Sequence, residues 1–336
     1  MNDGKIPQAV RLGRALSKPV AGLVLFALSL QSHALDFTPD ASRVLSDLAY
    51  LPQQDQFVSA TSYSSTRTHD EVYNYLGMLK TSDATTSKLL SQTFSDGITD
   101  DLTLRITAAY GHTNTSSNSA AGVATSTVSY GLDDPVLDMI WRVLDQKDHA
   151  LNWDLIASYA PDLVQAIAAS PTQVGSVARG GQATTLETAI SYKTRDFTIY
   201  ADGGATYVSR RDLSDNISTI TTYTSYWQYF LSLNTQTRLN EAFAVNAGVT
   251  GTFTDKYFGA IPGTVTAFDV RAGNVTNFNA ALVYNITPNK LVTTLTYNHI
   301  IYANAGVDYA TLPSSSTTIK SKSANAIGVR LQYLFD

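Results

Sequence analysis

The stretch Ile327-Gly328-Val329-Arg330-Leu331-Gln332-Tyr333-Leu334-Phe335 decides the fold of this chain. Its odd-numbered residues are all apolar or aromatic, whereas glycine, arginine and glutamine lie between them, with Leu334 as the exception. An alternation with a period of two predicts a β-strand whose two faces meet different surroundings. Lipid on the outside and water on the inside of a membrane barrel are such surroundings. The stretch therefore predicts one strand of a transmembrane β-barrel.

The overall composition favours a membrane barrel over a soluble enzyme. Charged residues make up 15 % of the chain, compared with about 25 % in ordinary soluble domains. Hydrophobic residues reach only 44 %, and beyond the N-terminal region no segment is apolar enough for a membrane helix. The chain has no cysteine, so its stability cannot come from disulfides. A closed sheet with every backbone group paired would supply it; a secreted β-sandwich is the competing interpretation.

The N-terminal region has the pattern of an export signal. Four basic residues precede the apolar run 20–30, and small residues follow at positions suited to cleavage after residue 34. We therefore expect a signal peptide over residues 1–34, a periplasmic lead-in with one helical turn over residues 35–56, and the barrel over residues 57–336. The formal net charge is −5, and loss of the basic leader would make it more negative. This charge disfavours nucleic acid as a partner.

Strand-like runs recur from residue 57 to the C-terminus. We count twelve, at residues 57–67, 87–95, 102–112, 136–144, 151–159, 186–192, 197–209, 223–237, 243–253, 278–284, 291–302 and 327–335. Short connections alternate with long polar ones, as expected when short turns face the periplasm and long loops face the exterior. Most runs have about 9–12 residues, which is the length that a tilted membrane strand needs. The predicted fold is all-β, a transmembrane antiparallel up-and-down β-barrel of about 12 strands.

Three stretches carry a resemblance to a known family. They are residues 90–104 (LSQTFSDGITDDLTL), 131–162 (GLDDPVLDMIWRVLDQKDHALNWDLIASYAPD) and 282–297 (LVYNITPNKLVTTLTY). These strand-turn-strand signatures resemble the outer-membrane transporters named after the meta pathway of phenol degradation. The resemblance implies a bacterial outer-membrane barrel that passes small, often aromatic or hydrophobic compounds. It specifies architecture more strongly than cargo, and it assigns no functional residue.

The closing strand also resembles the C-terminal signal that bacterial barrel-insertion machinery reads. The residues that carry this resemblance are Val329, Leu331, Tyr333 and Phe335, and one further residue, Asp336, follows them. The resemblance implies the cell outer membrane as the location. It also implies outer-membrane lipids and the insertion machinery as partners, besides a small-molecule solute.

Seven charged residues fall on the inward-facing parity of their predicted strands. They are Arg105, Asp138, Arg142, Asp154, Glu187, Asp202 and Arg330. Most lie several residues from a predicted periplasmic turn, so we expect a band of mixed sign at similar depth. Such a band either forms a constriction that selects solutes, or fills the barrel with ion pairs because buried charges need partners. The sequence leaves both interpretations open.

Aromatic residues divide between the two faces of the predicted wall. Those of outward parity, where interface girdles are expected, are Trp141, Trp153, Trp227, Tyr159, Tyr192, Tyr297 and Phe335. Tyr200 and Tyr226 have inward parity. These two residues are candidates either for stacking on an aromatic cargo or for filling the lumen.

No residue pattern predicts an enzyme. The histidines beyond the leader are His69, His112, His149 and His299, without a G-x-S-x-G motif or a pair at metal-ligand spacing. We therefore predict no catalytic residue, no metal and no cofactor. The expected function is a passive outer-membrane channel for small molecules, from the resemblance hydrophobic or aromatic ones. The alternatives are a hydrolase at the outer rim and a structural or adhesive barrel.

Overall fold

The computed structural model describes residues 43–215, 219–262, 266–309 and 313–335, apart from the side chains of residues 321 and 322. The predicted signal peptide lies outside these residues. The described chain is almost entirely β-strand, with one short 3-10 turn at Pro313–Ser315. In this part of the chain no helix is long and apolar enough to span a membrane.

Twelve antiparallel strands pair in chain order to form a closed barrel, as the sequence predicts. Their segments are β1 (Phe57–Asn74), β2 (Leu79–Gly97), β3 (Leu102–Ser119), β4 (Ala124–Leu132), β5 (Val136–Leu144), β6 (Asn152–Ala160), β7 (Ala183–Lys193), β8 (Phe197–Val208), β9 (Arg211–Ser214), β10 (Ile220–Tyr223), β11 (Tyr226–Arg238), β12 (Phe243–Thr254), β13 (Tyr257–Ala260), β14 (Ala267–Arg271), β15 (Val275–Thr287), β16 (Leu291–Tyr302), β17 (Ala305–Tyr309) and β18 (Thr317–Phe335). Six strands consist of two consecutive segments: β4 with β5, β8 with β9, β10 with β11, β12 with β13, β14 with β15, and β16 with β17.

The closing strand completes the barrel by pairing with both neighbours. β18 lies beside β1, with Phe335 opposite Phe57 at one end and Thr317 opposite Asn74 at the other, and it also pairs with β16. The exposure of its side chains alternates as predicted: Ala326 is 6 % exposed, whereas its neighbour Ile327 is 60 % exposed. Closure leaves no unpaired sheet edge along this seam. We call the end at which β1 begins and β18 ends the terminal end, and the opposite one the loop end.

The main difference from the predicted strands lies at the loop end. The polar runs 68–86 and 113–129, predicted as external loops, are instead continuations of the hairpins β1–β2 and β3–β4. β1 to β3 have 18 or 19 residues, about twice the length needed to cross a bilayer. The extensions carry polar side chains on both faces, such as the hydroxyl pair Thr85–Thr115 at 3.0 Å. Their sequence therefore lacks the apolar alternation by which the other strands were recognised.

Candidate functional site in the lumen

A buried ion pair joins two of the predicted inward charges. Arg142 Nε donates to Asp154 Oδ1 at 2.8 Å and Arg142 Nη2 donates to Asp154 Oδ2 at 3.0 Å. The side chains are only 3 % and 6 % exposed, and Arg142 Nη2 also donates to the carbonyl oxygen of Ala49 at 2.9 Å. Both charges are satisfied, so this part of the predicted band has the geometry of a filling network.

A second pair lies beside open space. Arg105 Nε donates to Asp138 Oδ2 at 2.6 Å, and the Arg105 side chain is 38 % exposed. These two residues and Arg330 line a lumenal cavity of 270 Å³, together with hydroxyl groups of β1, β2 and β3. The Arg330 side chain forms no hydrogen bond or ion pair with the described residues. This cavity has the chemistry of a polar constriction with an available cation.

The remaining predicted residues form an acidic side of the lumen. Asp202 accepts a hydrogen bond from the Ser232 hydroxyl. Glu187 lies opposite Gly204 on the neighbouring strand, and its side chain makes no hydrogen bond or ion pair with the described residues. Tyr200 lies between Ser191 and Asn234 on the same inner face. The band thus combines two paired arginines with an unpaired cation and an unpaired carboxylate, and its part in solute selection remains a prediction.

Residues 43–56, expected as a lead-in, lie against the inner wall at the terminal end, and we call them the plug. They form hydrogen-bonded turns rather than the predicted helical turn. Leu45 is 2 % exposed and Leu51 is 8 % exposed. Leu45 packs with Val58, Ala244, Val283, Val292 and Leu334, and Leu51 packs with Ile140 and Ile156. Two apolar anchors therefore hold the plug on the wall.

A polar cluster centred on Asp47 holds the plug between these anchors. Asp47 Oδ2 accepts from Lys193 Nζ at 2.6 Å and Asp47 Oδ1 accepts from Arg238 Nη2 at 3.3 Å. Gln236 bonds the plug backbone on both sides of Asp47, at 2.8 and 3.2 Å. The sequence-based predictions missed these residues, because a turn segment has no periodicity that reveals which wall it contacts.

A third polar contact joins the start of the plug to the turn after β5. Arg43 Nη2 lies 2.5 Å from Asp145 Oδ2. Burial raises the pKa of Asp145, but hydrogen bonds from the Lys147 backbone N–H and the Arg43 guanidinium outweigh it, so that the pKa lies below its ordinary value. The ionised carboxylate therefore helps to fasten the plug.

At the loop end, the connection between β6 and β7 folds inward. Asp134 Oδ1 accepts from the backbone N–H groups of Leu163 at 2.8 Å and Val164 at 2.9 Å. Val177 lies so close to the inner face of Gly111 that a Cβ on this glycine would be 2.9 Å from its Cγ1. The connection was predicted only as a polar loop. Its inward position narrows the lumen.

Tyr226 lies beside other aromatic rings near this inward loop. Its ring stacks on Tyr257 at a centroid distance of 4.5 Å, and it also packs against the buried side chains of Ala160, Ala183 and Val208. Tyr226 therefore belongs to an inner aromatic surface at the loop end. Tyr200 lies deeper in the lumen, so the two predicted cargo contacts do not form one site.

The histidines do not form a hydrolytic constellation in the described part of the chain. His69 Nε2 lies 3.3 Å from the Ser82 hydroxyl, and His299 Nδ1 lies 2.9 Å from Asn325 Oδ1. A histidine base in a hydrolase triad is held by a carboxylate, and neither ring has such a contact here. Within the same residues, no group of three or more metal-ligating side chains occurs.

The comparisons with known proteins agree with this architecture. No protein-family model and no curated protein matches the chain. Among solved structures, an outer membrane channel from Pseudomonas putida F1 has a TM-score of 0.57 at 15 % identity, over 86 % of this chain and 99 % of that one. The transport unit of the autotransporter AIDA-I from Escherichia coli has a TM-score of 0.54 at 8 % identity, over 85 % and 92 %. These likenesses show the fold of outer-membrane barrels, and membership of the meta-pathway family remains a prediction.

Proposed function

We propose that the chain is a passive outer-membrane channel for small hydrophobic or aromatic molecules, of the meta-pathway transporter type. The observation that carries the proposal is an open cavity in the lumen. The cavity has a volume of 270 Å³ and lies beside Arg105 and Arg330, although ion pairs and the plug fill the space toward the terminal end. If the side chains in the lumen only filled the barrel, the Arg330 charge would be expected to have an ion-pair partner.

The proposed path begins at the loop end. The inner aromatic surface around Tyr226 and Tyr257 offers flat apolar contacts to an arriving solute. The solute then passes the cavity at Arg105 and reaches the plug. The plug is held by side-chain packing and ion pairs, which are reversible, so a shift of residues 43–56 can open the terminal end. No step consumes energy, because the concentration gradient drives passage.

The support for a hydrophobic or aromatic cargo comes from two sources. The first is the resemblance of residues 90–104, 131–162 and 282–297 to transporters of such compounds. The second is the concentration of aromatic side chains on the inner face at the loop end. A wide aqueous porin would not need such an aromatic surface. A plugged lumen would slow large hydrophilic solutes.

Uptake by intact cells tests the proposal. We would express the full chain in a Gram-negative host and measure entry of radiolabelled naphthalene, with a disaccharide as the hydrophilic comparison. An equal amount of an unrelated outer-membrane barrel controls for disturbance of the envelope. We expect faster naphthalene entry and unchanged disaccharide entry. Naphthalene entry equal to that of the control cells would refute the proposed function.

A further inference from the structure

A row of cross-strand neighbours crosses the loop end of the barrel from β9 to β17. Arg211 lies opposite Tyr223, and Tyr223 lies opposite Gly259. Gly259 in turn lies opposite Phe268, and Phe268 lies opposite Tyr309. Directly paired residues of antiparallel strands point to the same side of a sheet. One arginine and three aromatic residues therefore share one face, with a glycine between them.

The rings on this face are in contact with one another. Tyr223 lies 6.0 Å from Tyr257 and 6.1 Å from Phe268, both in edge-to-face arrangements, and Phe268 lies 5.2 Å from Tyr309. Tyr257 also stacks on Tyr226 at 4.5 Å. These spacings are those of favourable aromatic pairs. The five rings form a continuous surface, which we call the loop-end aromatic surface.

This surface belongs to the inside of the barrel. Tyr226 packs on Val208, which is 2 % exposed, whereas its chain neighbour Trp227 is 43 % exposed on the outside. Gly259 is required for the arrangement, because a Cβ there would lie 2.3 Å from ring carbons of Phe268. The glycine lets the Phe268 ring lie directly over the backbone. The surface is therefore positioned to meet a solute that enters the lumen.

Arg211 brings positive charge to the edge of the surface. The Arg211 guanidinium lies 4.9 Å from the centre of the Tyr223 ring and 5.9 Å from that of Tyr257. Arg211 Nη1 donates to the carbonyl oxygen of Arg179 at 3.1 Å. Gly181, with φ +72°, lies against Arg211 Cβ, so the backbone of the inward loop packs on Arg211.

The donor capacity of Arg211 is incompletely used. Its Nε–H group is buried without a hydrogen-bond partner. Its side chain forms no ion pair with the described residues, whereas the Arg179 side chain interacts electrostatically with Asp133. Buried donors without partners are costly, and guanidinium groups match the geometry of carboxylates.

We propose that the loop-end aromatic surface, with Arg211, binds aromatic carboxylates. The ring of the ligand packs against the partly exposed rings of Tyr223 and Tyr257, and its carboxylate accepts hydrogen bonds from the Arg211 guanidinium. This inference rests on the proposed function and deepens it, because it names an anionic aromatic class as the first ligand captured. The binding is reversible and involves no covalent step.

Calorimetric titration of the purified full chain in detergent tests the inference. The probes are naphthoate and naphthamide, which share ring and shape but differ in charge. We expect naphthoate to bind at least about tenfold more tightly than naphthamide. Arg211→Gln should remove most of this preference, whereas Arg211→Lys, which keeps the positive charge, should retain part of it. The matched control is Arg210→Gln, since the Arg210 side chain is 71 % exposed and outside the row.

Equal affinities for the two probes in the wild-type chain would overturn the inference. An equal loss of the preference for naphthoate in the Arg210→Gln and Arg211→Gln variants would also overturn it. The heat-dependent shift in gel mobility, which reports folded barrel, must be retained by each variant. The second substitution, Arg211→Lys, protects the test against misfolding of Arg211→Gln. The uptake assay separates the two proposals. Charge-independent binding with normal naphthalene entry removes this inference alone, whereas absent entry with charge-dependent binding removes the proposed function alone.

Discussion

Arg142 and Asp154 are almost completely buried, and a charge at such a position is tolerated only when it is paired. The two-pronged contact between their side chains, at 2.8 and 3.0 Å, satisfies both groups. Removal of one partner leaves the other without compensation. We expect Arg142→Ala to lower the free energy of unfolding by about 3–5 kcal/mol.

Denaturant titration monitored by tryptophan fluorescence measures this loss. Arg210→Ala is the matched control, because the Arg210 side chain is 71 % exposed and that of its partner Asp212 is 54 % exposed. The control substitution should lower the free energy of unfolding by clearly less than Arg142→Ala does. Equal losses in the two variants would show that burial does not set the value of these ion pairs.

Arg330 presents the opposite case, a lumenal cation without a partner among the described residues. It lies on the inner face opposite Ser62 and Thr294, beside the 270 Å³ cavity. We expect Arg330→Gln to shift the ion selectivity of the barrel toward cations and to change stability by less than about 1 kcal/mol. Reversal potentials across a salt gradient give the selectivity. An unchanged reversal potential would remove Arg330 from the constriction and leave it a space-filling role.

At the level of elements, the plug is fastened by charge as well as by leucine side chains. Asp145 has a pKa below its ordinary value of 3.8 and lies 2.5 Å from Arg43. A group whose folded pKa is depressed contributes stability above the unfolded pKa and loses it as the pH falls through the folded pKa. The contact should therefore be fully present at neutral pH and be lost as the pH falls below 3.8.

Asp145→Asn tests this pH dependence. We expect the variant to be less stable than the wild type by about 1.5–3 kcal/mol at neutral pH. The difference should shrink toward zero as the pH falls below 3.8. Asp148→Asn, in the same turn but with an exposed side chain, should have little effect at any pH. A difference for Asp145→Asn that is independent of pH would contradict the assigned role of its charge.

The elements also show which structural features a sequence can reveal. The period-two pattern of residues 136–144 located Asp138 and Arg142 on the inner face, because lipid and lumen impose opposite side-chain polarities. The same rule fails for the extension 113–119, since water bathes both of its faces. It fails for the plug as well, because turns carry no period. The row that pairs Arg211 with Tyr223 depends on strand register, which short polar segments do not specify.

For the whole molecule, the main structural feature is the closure of the barrel by pairing of β18 with β1. The chain has no cysteine, and its twelve strands satisfy one another around a complete circle. Backbone hydrogen bonds hold the wall, while side-chain contacts hold the plug in the interior: ion pairs, amide hydrogen bonds and two leucine anchors. Such a division suits a channel, because the plug can move without any loss of wall hydrogen bonds.

The central claim is that the barrel conducts solutes and that the plug limits passage. Single-channel conductance in a planar bilayer tests it most directly, with the wild type, Asp47→Lys and the charge-swapped pair Asp47→Lys/Lys193→Asp. Asp47→Lys places a cation against Lys193 and Arg238, so it should release the plug and raise conductance several-fold above a small wild-type value. The swapped pair restores attraction at residue 193 and should return conductance toward the wild-type value. The same conductance in all three proteins, or none in any correctly folded one, would contradict the account.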